Sequence, residues 1–93
     1  MDQGLELTNR QRQCLFLSAC GLREQQIAKE LGISPHTVRI HLKHSKAALG
    51  SSTKSHSIVL ALMTHNLSLD EIKSSRHFAE SKYSKSFDPK ASE

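Results

Sequence analysis

Apolar residues near the start of the chain recur at the spacing of one helix face. Thr8 precedes this segment and Gln11 stands three residues further on, so each side chain can bond the other residue's amide. Gly21 is a common helix stop, and the pattern therefore predicts a first helix capped by Thr8 and ending at about Cys20. Phe16 falls outside the apolar face, and we interpret it as an isolated exposed aromatic rather than a partner contact. The apolar face consists of Cys14, Leu15, Ala19 and Leu22.

Two further helices follow, separated by a three-residue turn. The second helix is predicted from about Glu24 to Leu31, and Gly32 ends it. Ser34 is a good cap for the third helix, and Pro35 occupies its first position, where a missing N–H costs nothing. The second helix is short and must depend on packing for its stability. Its inward positions are Ile27, Ala28 and Leu31.

The third helix has two faces of opposite character. Val38, Leu42, Ser45 and Leu49 follow a spacing of four, three and four residues and are predicted to face the first two helices. Cations on the opposite face suit phosphates and guanines, and the apolar Ile40 suits a thymine methyl, as on a helix that reads DNA. The opposite face carries His36, Arg39, Ile40, Lys43, His44, Lys46 and Ala47.

A fourth and a fifth helix are predicted in the remainder of the chain. Thr53 caps the fourth, which runs to about His65, and its apolar run over residues 58–63 is too continuous for one buried stripe. The surplus apolar face predicts a partner, most simply a symmetric dimer. Ser68 and Glu71 resemble a second capping box, which predicts a helix over about residues 69–79. Residues 1–6 and 81–93 are expected to be flexible or disordered.

Composition favours a polyanionic partner. The 93 residues form one small domain with a formal charge of +4 and a pI of about 9.3. All of the excess charge lies in residues 1–66, and the stretch from Ser34 to Lys54 carries four basic residues and no acidic one. Cys14 and Cys20 point about 120° apart on one helix, so they cannot pair there. Without a signal peptide, a membrane span or a disulfide framework, we expect a cytoplasmic protein.

Several motifs follow one another in the first two thirds of the chain. They are Leu7-Thr8, Arg10-Gln11-Arg12-Gln13, Ala19-x-Gly21-Leu22, Ile27-Ala28-x-x-Leu31-Gly32-Ile33-Ser34, Thr37-Val38-Arg39-Ile40-His41-Leu42 and Leu49-Gly50. In this order they resemble one known family, the LuxR/GerE-type helix-turn-helix domain of bacterial transcription regulators. The resemblance covers residues 7–67 and leaves 68–93 as a C-terminal extension. It implies a four-helix, all-α domain, with the fifth helix as an addition.

The resemblance implies roles for individual residues. Base-edge contacts fall on Arg39, Ile40 and Lys43, and the dimer seam in the fourth helix falls on Val59 and Met63. The second helix departs from the family because Arg23 stands where Ser or Asn usually caps it. Most relatives carry a receiver or ligand-binding module upstream, and six residues are too few for either, so a stand-alone domain is expected. Phosphate contacts fall on Ser34, His36, Thr37, His41, His44 and Lys46.

Other kinds of site have little support. His36, His41 and His44 do not make a zinc site, because their helix has no Cys, Asp or Glu to complete a tetrahedral set. No catalytic motif or cofactor signature appears, and we expect neither an enzyme nor a cofactor. Two functions remain open. The chain is a DNA-binding transcription regulator acting as a homodimer, or it is an interaction module that pairs with a full-length LuxR-type regulator.

Overall fold

The computed structural model describes the backbone of residues 6–82 and the side chains of residues 6–75. This part of the chain contains five α-helices and no strand. The prediction of an all-α domain is therefore confirmed, and the first three helices lie within a residue of the predicted bounds. The helices are α1 (Asn9–Ala19), α2 (Glu24–Leu31), α3 (Pro35–Leu49), α4 (Lys54–Met63) and α5 (Leu69–Lys82).

Helix α3 lies at the centre of the domain and packs against α1, α2 and α4. Leu15 of α1, Ile27 of α2 and Val38 of α3 are the largest side chains that are almost completely buried, one from each helix. Because the core is aliphatic and thin, these three positions carry much of the burial that holds the helices together. The rest of the buried apolar set is Leu7, Cys14, Cys20, Leu22, Ala28, Leu42, Leu49, Ala61, Leu67 and Ile72.

Most helix ends follow local rules. At the start of α1, the Gln11 amide donates to Thr8 Oγ1 and the Thr8 amide donates to Gln11 Oε1, both at 3.1 Å, so the predicted capping box is present. Helix α4 ends at Met63, two residues before the predicted end, because His65 adopts a left-handed φ of 63°. The Asn66 amide then bonds the Ala61 carbonyl at 2.8 Å, which closes the end of the helix.

Helix α5 extends the fold beyond the predicted domain boundary at residue 67. Ile72, on its first turn, is buried in the common core. Phe16 was predicted to be an exposed aromatic, and this is wrong: it is half-buried and packs against the core. It lines a groove with Glu71 and Ser75, because α5 lies beside α1 there. Residues 83–93, which make up most of the segment predicted to be disordered, lie outside the described part of the chain.

Candidate nucleic-acid interface

The turn between α2 and α3 sets the geometry of the candidate interface. Gly32 has a φ of 69°, in the left-handed region that favours glycine, and the Ile33 amide bonds the Ala28 carbonyl at 3.0 Å. Ile33 is half-buried against the core, so the turn is anchored from inside. The Ser34 hydroxyl then accepts from the Thr37 amide at 3.0 Å and caps α3. The direction in which α3 leaves the turn is therefore fixed by backbone and cap together.

One side of α3 is buried as predicted. Val38 and Ser45 are completely buried, and Leu42 and Leu49 are nearly so. The Ser45 hydroxyl donates to the His41 carbonyl at 2.8 Å, so this polar group in the core has a partner. Because all four buried positions lie on one stripe, α3 cannot rotate about its axis without exposing them. The opposite side chains are held in a defined orientation.

Most of the residues predicted to contact DNA lie on the exposed side of α3 or at its cap. Arg39, Ile40 and Lys43, the predicted base-edge residues, are all exposed, and Ile40 has 37% of its surface accessible. An isoleucine at the middle of an otherwise polar exposed face supports a contact role. Among the predicted phosphate residues, Ser34, His36 and His44 are exposed, whereas Thr37, His41 and Lys46 are half-buried.

The sequence did not predict an ion pair that joins α2 to α3 at the candidate interface. The Glu24 carboxylate, at the start of α2, accepts from Arg39 Nε at 3.3 Å and from Arg39 Nη2 at 3.1 Å, both through Oε1. The two residues are fifteen positions apart, and they meet because α2 packs on α3. One of the predicted base readers is therefore held by a residue of the neighbouring helix.

Sequence reasoning also left Lys54 out of the site. It begins α4, and it lines a cleft of about 440 Å³ together with Lys43 and Lys46 of α3. The sequence did contain a signal for Lys54, because it ends the acid-free stretch that begins at Ser34. Its position near the basic face of α3, however, depends on the packing of α4 against α3. The remaining residues that line the cleft are Leu15, Glu24, Arg39 and Leu42.

The predicted dimer residues lie on a different surface. Val59 and Met63 are one turn apart on α4 and have 50% and 69% of their surface exposed. Ser57 and Ala61 of the same helix are buried, and Ile58, Leu60 and Leu62 are partly buried against the core. Leu69, at the start of α5, is also exposed and shares a shallow depression with Met63. The apolar surface of α4 that is accessible to a partner is therefore that of Val59 and Met63.

The structure places no chemically reactive constellation beside these surfaces. Cys14 and Cys20 are free and buried. Burial raises the pKa of the Cys14 thiol, and the positive charge of Arg10 lowers it by a smaller amount. Within residues 6–75, no three His, Cys, Asp or Glu side chains gather where they could hold a metal ion. None of the helices in the described part of the chain is both long and apolar enough to span a membrane.

Two helices joined by a short turn, with the second presenting a cationic face above a buried stripe, define a helix-turn-helix domain. The family model GerE, described as bacterial regulatory proteins of the luxR family, matches residues 5–61, more than half of the chain. The chain belongs to this family and is a DNA-binding transcription regulator. The helix-turn-helix domains of the family are generally not enzymes. Comparisons with curated proteins and with solved structures found no significant match.

Proposed function

We propose that the protein binds double-stranded DNA by placing α3 in the major groove, as a homodimer joined through α4, in the bacterial cytoplasm at the nucleoid. The observation that carries this proposal is the exposed face of α3, where Arg39, Ile40 and Lys43 lie away from the buried stripe. Arginine and lysine read guanine edges, and an apolar side chain reads the thymine methyl. These three residues are assigned to base contacts.

The residues around this face supply contacts to the DNA backbone. Cations and helix N-termini bind phosphate, and such contacts fix the register of the protein without reading sequence. Lys54 joins this group on the basis of its position in the cleft beside Lys46. The residues predicted from the sequence for this role are Ser34, His36, Thr37, His41, His44 and Lys46.

The homodimer rests on the exposed apolar residues of α4. Val59 and Met63 form one stripe that a second copy of the chain could cover. Two copies related by a two-fold axis would then present their α3 helices to major grooves about one helical turn apart. Such a dimer recognises a palindrome.

The test is selection of bound duplexes from a random pool, followed by affinity measurements on Arg39→Ala and Lys43→Ala. The expected selected site is a palindrome, and each variant should lose about 1–3 kcal/mol of binding free energy and relax the sequence preference at one position. Lys73→Ala is the matched control, because Lys73 is an exposed lysine on α5, outside the basic face. If both variants bind every selected duplex like the wild type, α3 is not the reading helix.

A second candidate function has one specific observation in its favour. Met63 and Leu69 are both exposed at the corner between α4 and α5, and they line the same depression. That surface suits a sensor-less module that pairs with a full-length LuxR-type regulator and modulates it. The exposed base-reading set has no use in such a module. Capture of a LuxR-type regulator by a protein that binds no selected DNA would favour this second function.

A further inference from the structure

Glu24 begins α2, a favourable position for an acid, but its surroundings are cationic. It is the acidic residue among those that line the basic cleft, where it stands with Arg39, Lys43, Lys46 and Lys54. A carboxylate at a surface that meets phosphates lowers affinity for any DNA, because like charges repel. The contact between Glu24 and Arg39 indicates a function that offsets this loss of affinity.

The contact leaves one edge of the guanidinium free. Arginine has five N–H donors in a planar fork. Glu24 Oε1 accepts one from Nε and one from Nη2, which form the side edge of the group. The terminal edge, made of the Nη1 and Nη2 donors that point away from Glu24, is not used by this pair. Two parallel donors of that kind match the O6 and N7 acceptors of guanine.

Holding the side chain also changes the cost of binding. Arg39 is long, and its side chain is 61% exposed, so without a contact it would sample many rotamers and lose that freedom when it meets a base. A partner on the neighbouring helix removes part of that loss before DNA arrives. The smaller loss of side-chain entropy raises affinity only where Arg39 contacts a base. The repulsion between the carboxylate and the phosphates lowers affinity on every DNA sequence.

We propose that Glu24 is a positioning residue that holds Arg39 with its terminal edge free for a base, and so raises specific over non-specific binding. This inference rests on the proposed function, because it requires Arg39 to be a base reader. It assigns to the start of α2 a part in sequence discrimination that neither the α3 pattern nor the family resemblance provides. The partner chemistry is a guanine edge in the major groove.

The test uses the duplex selected by the wild-type protein. Affinity is measured by fluorescence anisotropy for the four duplexes that differ at the position where Arg39→Ala loses its preference, and for one unrelated duplex. Glu24→Ala should reduce the preference at that position by about 2- to 10-fold, the effect of releasing one long side chain. The same variant should bind the unrelated duplex as tightly as the wild type or more tightly, because a repelling charge is gone.

Three further proteins separate the causes. Glu24→Gln removes the charge but keeps an oxygen that can accept from Arg39, so its preference should lie between those of the wild type and Glu24→Ala. Asp70→Asn removes an exposed acid from α5 and should leave the preference unchanged. In an Arg39→Ala background, Glu24→Ala should have no further effect on the preference, because the side chain it positions is absent. Circular dichroism of each variant checks that α2 remains folded.

The outcomes are distinguishable. If Arg39→Ala loses the preference but Glu24→Ala keeps it in full, the positioning role is wrong and the proposed function stands. The positioning role is also wrong if Glu24→Ala changes the preference equally with and without Arg39. If Arg39→Ala itself keeps the wild-type affinity and preference, the assignment of Arg39 as a base reader fails first.

Discussion

Three serines lie in the core, and they differ in whether their hydroxyls have partners. The Ser45 hydroxyl bonds the His41 carbonyl at 2.8 Å, and the Ser57 hydroxyl bonds the Thr53 carbonyl at 2.9 Å. The Ser18 hydroxyl is buried and has no partner among the described residues. A buried hydroxyl without a partner has lost its bonds to water without replacement, so it lowers stability.

Ser18→Ala should therefore stabilise the protein. Removing the hydroxyl removes the desolvation cost, and alanine is the better helix former, so we expect the free energy of unfolding to rise by about 0.5–1.5 kcal/mol. Urea denaturation followed by circular dichroism measures the change. Ser57→Ala is the matched control and should be destabilising, since it breaks two hydrogen bonds, to Thr53 and Ser51. A loss of stability in both variants would mean that Ser18 has a partner after all.

For individual residues, the sequence predicted the buried stripe of α3 but not the contacts between helices. Val38, Leu42 and Leu49 follow from periodicity, because a helix has a fixed angle per residue. The Glu24–Arg39 pair and the position of Lys54 depend on how α2 and α4 cross α3, and periodicity within one helix carries no information on crossing. Phe16 was misplaced for the same reason, since its burial depends on how α1 packs in the core and not on the pattern within α1.

Among the helices, α2 has the weakest start. Its N-cap residue is Arg23, whose guanidinium has no acceptor and so cannot bond the free amides of the first turn. Half of a capping box is nevertheless in place, because the Arg23 amide donates to Gln26 Oε1 at 2.8 Å. The backbone of residue 23 already has the extended conformation that a capping residue requires.

Arg23→Ser should complete that box. The serine hydroxyl would accept from the Gln26 amide, and we expect the free energy of unfolding to rise by about 1 kcal/mol. Thermal and urea unfolding provide the measurement. Thr8→Ala, which removes one half of the complete box on α1, is the control and should cost a similar amount. An unchanged stability for Arg23→Ser would show that the first turn of α2 gains nothing from a side-chain cap.

Helix bounds were predictable wherever a residue type determines the local backbone. Ser34 and Thr53 start helices through side-chain caps, and Gly32 and Gly50 end helices in the left-handed region, as expected from their chemistry. The end of α4 was predicted two residues late because His65, not glycine, takes the left-handed conformation there. Histidine is enriched among non-glycine residues in this conformation, but far less so than glycine, so it does not mark a helix end in a sequence as glycine does.

For the molecule as a whole, the proposed dimer requires a larger surface than the exposed residues of α4 provide. A specific interface buries about 1,200–2,000 Å² in total, more than two exposed side chains on each copy can supply. Residues next to Val59 and Met63 must therefore contribute, and Leu69 is an exposed apolar neighbour. A dimer of this kind would combine the end of α4 with the start of α5, which lies outside the part matched by the family model.

Met63→Asp should convert the proposed dimer into a monomer. A carboxylate on the apolar surface would have to be desolvated without a partner, which opposes association. Sedimentation equilibrium gives the mass directly. Gln25→Asp introduces the same charge at an exposed position on α2 and should sediment like the wild type. A wild-type dimer whose mass is unchanged by Met63→Asp would exclude this end of α4 as the seam.

The separation between the two sides of α3 has a consequence for engineering. Most residues that attach this helix to the core differ from those that face outward, and Arg39, which faces outward and pairs with Glu24 of α2, serves both purposes. The outward positions can then be exchanged for those of another DNA reader while the anchoring stripe and the flanking Gly32 and Gly50 stay in place. The domain is a suitable scaffold for retargeting, and Glu24 should be varied together with Arg39 in any such library.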